Sequence, residues 1–181
     1  MIPYINIAPA EIEKTPHYKI HKLVLNHFRE LVPKQKKYYL SSFSLKKGSN
    51  IYGLIFGSGH PLGIEKFIDT CWKIDPERGE ANYDIDEENI SQSQFNLFTN
   101  ELSRPNRLMS FEHALESKIL SQEITSDKDI YLFRILYGFK EAHVKKVINK
   151  LIASNKLEGC KLNLTSKICR ADAQLTFLKL I

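Results

Sequence analysis

Apolar side chains recur at helical spacing early in the chain: Ile20, Leu23, Val24, His27, Phe28 and Leu31 fall on one stripe, which predicts an amphipathic helix over residues 16–32. Thr15 is its expected N-cap, Pro16 its first residue and Pro33 its stop. The pattern then changes. Residues 38–45 mix apolar and polar positions as a half-buried strand does, whereas Ile51 to Phe56 is almost wholly apolar, as expected of a strand covered on both faces. A turn through Gly48, Ser49 and Asn50 is suited to joining the two antiparallel. After Gly57-Ser58-Gly59 a second helix is predicted over residues 61–73. Ile64, Phe67, Ile68, Cys71 and Trp72 form its buried stripe, and Asp75-Pro76 ends it.

The next stretch, 77–94, is the most polar of the chain and reads as an interdomain linker. Residues 91–98 fit a short strand or a turn of helix equally well. Three helical patterns follow, at 110–122, 127–137 and 140–155, with Thr125-Ser126-Asp127 capping the middle one and Gly138-Phe139 breaking before the third. Two extended runs, 156–164 and 174–181, close the sequence around a basic tip at 165–170. Three helices and then a β-hairpin is the order of a winged helix-turn-helix. The expected fold is therefore α+β: a partial α/β segment (1–76) of helix, antiparallel strand pair and helix, a linker (77–100), and a winged helix-turn-helix domain (101–181).

Charge sharpens the picture. Of 26 Lys and Arg and 21 Asp and Glu, the first 100 residues hold twelve of each and are neutral, whereas residues 138–181 hold nine basic and three acidic. The last quarter is where a polyanion is expected to dock. No apolar run approaches the roughly 20 residues that span a bilayer, so no membrane partner is expected. Met1-Ile2-Pro3-Tyr4 has neither a basic nor an apolar signal region. Cys71, Cys160 and Cys169 are odd in number and lack Cys-x-x-Cys spacing, which argues against a disulfide framework and a zinc site and for a reducing, cytoplasmic setting.

The third helix of the C-terminal part is the main candidate for chemistry. Val144, Val147, Ile148, Leu151 and Ile152 commit one face to the core, and the opposite face presents Ala142, Lys146, Asn149 and Ala153, flanked by His143, Lys145 and Lys150. Such a face suits a major groove, with lysines reaching phosphates and Asn149 a base edge. Lys167 and Arg170 at the hairpin tip would add wing contacts. The competing reading is a solvated lysine face, or a winged helix that docks protein.

His60, beside a helix N-terminus, is the one candidate catalytic residue, with capping or packing as its alternative. Asp84, Asp86, Glu87 and Glu88 lack calcium-loop spacing and read as solvated acids. His17 and His21 at i, i+4 could bind a metal but read as a surface pair. Walker loops, nucleophile elbows and HExxH are absent from the sequence, which makes an autonomous cofactor-dependent enzyme an unfavoured reading.

The stretch Tyr52-Gly53-Leu54-Ile55-Phe56, then Gly59-His60-Pro61-Leu62-Gly63-Ile64-Glu65-Lys66-Phe67 and Cys71-Trp72-Lys73-Ile74-Asp75-Pro76, resembles the C-terminal half of the three-Cys-motif partner proteins. The resemblance implies a methyltransferase-like α/β edge followed by a winged helix. It also implies that S-adenosylmethionine would be held by a Gly-rich turn that nothing before Thr15 supplies, so this chain is expected to hold no cofactor, except through a missing partner half. The expected function is a nucleic-acid-binding subunit, for DNA before RNA, of a split or remnant methyltransferase-like protein. Its apolar strand, Ile51 to Phe56, would dock a protein partner or a second copy, since a lone hairpin is marginal in water. The alternatives are a regulatory, protein-binding winged helix, or an enzyme of nuclease or methyltransferase-related type with an unrecognised site.

Overall fold

A computed structural model describes residues 7–15, 20–33, 36–47, 50–76 and 107–181. The chain divides into two compact units, residues 1–100 and 101–181. Both carry helices, and the described residues form a mixed α+β structure with a two-stranded antiparallel sheet. The linker expected at 77–100, with Asp84, Asp86, Glu87 and Glu88, lies outside the described residues. So do the open segment 91–98, the start of the first long helix at 16–19, His17, and the turn residues 48 and 49.

The first unit begins with a short helix, α1 (Pro9–Lys14), closed by Thr15 Oγ1 donating to the Glu11 carbonyl at 2.7 Å. Helix α2 (Ile20–Leu31) buries His21 and Leu25. Strands β1 (Tyr39–Lys47) and β2 (Asn50–Ser58) pair antiparallel, with Phe43 opposite Leu54 and Ser44 opposite Gly53. Helix α3 (Pro61–Ile74) buries Ile64, Ile68, Cys71 and Trp72.

Because side chains alternate across a strand, the register assigns each helix its face of the sheet. Ser44 Oγ and His21 Nε2 share a hydrogen bond at 3.2 Å, so α2 covers the Ser44/Gly53 face. Gly53 is required there, since a Cβ at this position would collide with His21 Cβ. On the other face, α3 brings Phe67 edge-on to Phe43 (centroids 6.5 Å apart) and stacked on Phe56 at 4.9 Å.

The cover of β2 on this face is incomplete. Phe43 is 3% exposed, but Tyr52, Leu54 and Phe56 on β2 are 52%, 47% and 37% exposed. A strand expected to be covered on both faces thus shows an apolar stripe to solvent on one of them, although α3 packs on β2 through the Phe56–Phe67 stack and the close approach of Gly63 to Ser58.

In the second unit α4 (Arg107–Leu120) buries Phe111, Leu115 and Ile119, α5 (Asp127–Tyr137) buries Ile130, Tyr131, Phe133 and Ile135, and α6 (Glu141–Ala153) buries Val144, Val147, Ile148 and Leu151. Helix α5 starts at a reciprocal capping box: Ser126 Oγ accepts from the Asp129 N–H at 3.2 Å, and the Asp129 carboxylate accepts from the Ser126 N–H at 3.0 Å. It ends at Gly138, whose φ of 73° is the left-handed conformation that a Cβ disfavours. Phe111 stacks on Phe139 at 4.0 Å, fastening α4 to the link between α5 and α6.

The two extended runs of the tail form less of a hairpin than their pattern predicts. Leu157 pairs with Leu180, and the last run also pairs Phe177 with Ser126 ahead of α5. Between the runs a 3-10 turn (Ser166–Cys169) packs against α5, with Leu164 and Ile168 buried. The ladder is short because side chains of α5 take the backbone groups a hairpin would pair. Asp127 accepts from the N–H groups of Asn163 and Thr176, each at 3.2 Å, and Arg134 donates to the Leu164 carbonyl at 3.0 Å.

Candidate nucleic-acid interface

Helix α6 turns one face into the core and leaves Ala142, Lys145, Lys146, Asn149, Lys150 and Ala153 exposed. The expected face is therefore the solvent face. Among the described residues Asn149 has no hydrogen-bond partner, so its amide is available to a ligand.

The lysines are not free. Lys145 pairs with Glu141 at 2.7 Å, one turn back on the same helix. Lys146 pairs with Glu112 and Lys150 with Glu116, both at 2.9 Å, and Lys156 also reaches Glu116 at 3.4 Å. Glu112 and Glu116 stand four residues apart on α4, opposite lysines four apart on α6, so two helical i, i+4 rows face each other as a ladder. The acids are the more enclosed members. Glu112 and Glu116 are 25% and 19% exposed, and the lysines that meet them 69% and 71%. A hydrogen bond from Lys150 holds the Glu116 carboxyl below the ordinary carboxylate range, against a smaller opposing effect of burial and with help from Lys156. The bond to Glu116 raises Lys150 in turn.

His143 sits differently from its lysine neighbours. Its Nδ1 accepts from the Lys140 N–H at 3.2 Å, closing the first turn of α6, and its ring meets Phe139 edge-on at 5.6 Å. Burial lowers its basicity, and Lys140, Arg107 and Lys146 lower it further against the opposing Glu112. The structure thus places His143 as a cap and packing residue at the margin of the exposed face.

Lys167 on the 3-10 turn and Arg170, which caps its C-terminal end, are exposed and have no ion pair among the described residues. Their turn packs on α5, and the contacts that define α6 run to α4 and α5. The six predicted contact residues other than His143 thus fall into two sets, four on α6 and two at the turn.

His60 is the N-cap of α3. Its Nδ1 accepts from the Leu62 N–H at 3.1 Å, while Ser58 Oγ accepts from the His60 N–H at 3.1 Å and donates to its carbonyl at 2.8 Å. This is the capping role that its position beside a helix N-terminus offered as the alternative to catalysis. Cys71 is buried and Cys160 and Cys169 are half-buried, all as free thiols, with burial and then Asp127 and Glu158 raising Cys160. Among the described residues no three His, Cys, Asp or Glu side chains come together as a metal site would need. No described helix is long and apolar enough to cross a membrane.

Sequence reasoning did not single out Glu112 and Glu116, although their i, i+4 spacing matches that of Lys146 and Lys150. Nor did it find Asp127 and Arg134 as buried charges. Comparison with known proteins gives no match to a family model, a curated protein or a solved structure.

Proposed function

We propose that residues 107–181 act as a winged helix-turn-helix that binds duplex DNA, with α6 as the helix offered to the major groove. The observation that carries this reading is the division of α6 into a core face, Val144, Val147, Ile148 and Leu151, and a continuous exposed face of small, amide and basic residues. The order of elements supports it. Three helices are followed by a run that pairs both ahead of α5 and behind α6, and a three-residue link through Gly138 joins the last two helices. Exposed Lys167 and Arg170, on the tail between the paired runs, are the cations available to the backbone.

In the first unit β2, with no charged residue from Ile51 to Ser58 and with the exposed stripe Tyr52, Leu54 and Phe56 on one face, serves on this reading as the strand edge that docks a partner chain or a second copy. An α/β edge ahead of a winged helix is also the order in the three-Cys-motif partner family. A second reading, a winged helix that docks protein, draws on the ion pairs of α6, which reduce the net charge its face offers.

The test is anisotropy of a fluorescently labelled mixed-sequence duplex titrated with the full chain at several salt concentrations. Binding that weakens log-linearly with salt is the expected result. Absence of binding at low salt, with a folded protein, favours the protein-docking reading.

A further inference from the structure

Lys146, Lys150 and Lys156 are held by two carboxylates on α4, and the charge that a phosphate backbone would meet on this face is already partly answered from within the molecule. We propose that Glu112 and Glu116 are built-in competitors for phosphate, setting the affinity and the salt threshold at which α6 engages DNA. The inference rests on the DNA-binding reading and names the residues that regulate that same site.

The geometry carries it in three steps. First, the pairing is matched in spacing: carboxylates one turn apart face ammonium groups one turn apart, each with N···O at 2.9 Å, the distance at which a phosphate oxygen would also sit. Of these two contacts Lys150–Glu116 is also a hydrogen bond, whereas Lys146–Glu112 is an ion pair alone. Second, the lysine side chains are about two-thirds exposed while the acids are only about one-quarter and one-fifth exposed, so the lysines can swing toward a ligand and the acids cannot follow. Third, a lysine that leaves strands a partly enclosed carboxylate beside an incoming polyanion, which repels it. Each pair is individually weak, and the three together act over a tenfold range rather than as an on-off lock. Lys145 stands outside the ladder, because its partner Glu141 lies on its own helix.

The experiment compares the full-length wild type with Glu112→Gln/Glu116→Gln in the labelled-duplex anisotropy assay, at low and moderate salt. Glutamine keeps the shape and removes the charge. The control is Glu123→Gln/Asp172→Asn, which changes the net charge equally at residues that take no part in the ladder; Glu123 pairs with Lys118.

The ladder variant is expected to bind about tenfold tighter than wild type and the control within about twofold. Wild-type binding with no gain in the ladder variant overturns the inference and leaves the DNA-binding reading standing. An equal gain in both double variants also overturns it, since net charge alone would then explain the effect. If neither wild type nor ladder variant binds, the DNA-binding reading fails and the inference with it. Thermal melting checks that the variants fold. Should the double variant be unfolded, Glu112→Gln alone, which frees only Lys146, is expected to tighten binding about threefold, and an unchanged affinity overturns the inference.

Discussion

Asp127 and Thr176 exchange two hydrogen bonds: the Asp127 N–H donates to the Thr176 carbonyl at 3.0 Å, and the Thr176 N–H donates to Asp127 Oδ1 at 3.2 Å. The carboxylate is fully buried, and its other oxygen accepts from the Asn163 N–H. One side chain at the start of α5 thereby fixes both arms of the tail. Asp127→Ala leaves two amide donors without their acceptor, and is expected to destabilise the second unit by about 3 kcal/mol. Urea unfolding followed by circular dichroism measures this; Asp127→Asn, which keeps an acceptor, should lose less.

His143 gives the second unit a dependence on pH. Its folded-state pKa is lowered, chiefly by burial, so the unfolded chain binds the proton more readily. The stabilising contribution is present in full above the unfolded value of about 6.5 and is lost as pH falls toward the folded value. Thermal melts between about pH 7.5 and about pH 5.5 should show falling stability, and His143→Gln should flatten the part of that slope that is due to this residue.

Gly53 is the point where α2 rests on the sheet. Alanine there would drive its Cβ into His21 Cβ, at the place where His21 and Ser44 share their buried hydrogen bond. Gly53→Ala is expected to destabilise the first unit by about 1–3 kcal/mol. Gly59→Ala, with only the Tyr38 ring at 4.0 Å, serves as the comparison and should cost less.

The stripe of Tyr52, Leu54 and Phe56 predicts association. Sedimentation velocity on the purified chain at rising concentration should show self-association, and Leu54→Arg, a charge placed at a half-exposed apolar position, should reduce it. A monomer at every concentration in both proteins would leave a partner chain as the remaining occupant of this edge.

The elements with strong local signals were legible in the sequence. Helix α3 lies where Ile64, Ile68, Cys71 and Trp72 set the period and Pro61 and Asp75 set the ends, and α5 and α6 follow equally regular stripes. What the sequence could not show is how charged side chains are spent across elements. Two extended runs in the tail predict a hairpin, but Asp127 and Arg134 take its backbone groups from α5, and only the fold brings them there. Likewise Lys146 and Lys150 read as free cations until α4 is packed alongside with Glu112 and Glu116. The apolar strand β2 predicted its own burial, and the single layer of α3 beneath it leaves that prediction unmet in this chain.

Duplex binding by Lys145→Ala/Lys146→Ala/Lys150→Ala, compared with wild type across salt concentrations, tests the role of α6 most directly. Loss of up to three phosphate contacts should weaken binding at low salt by more than about tenfold and make the log–log salt slope shallower by roughly 0.9 per contact. A folded triple variant that binds the duplex with wild-type affinity and an unchanged slope would contradict the assignment of α6 as the DNA-binding helix.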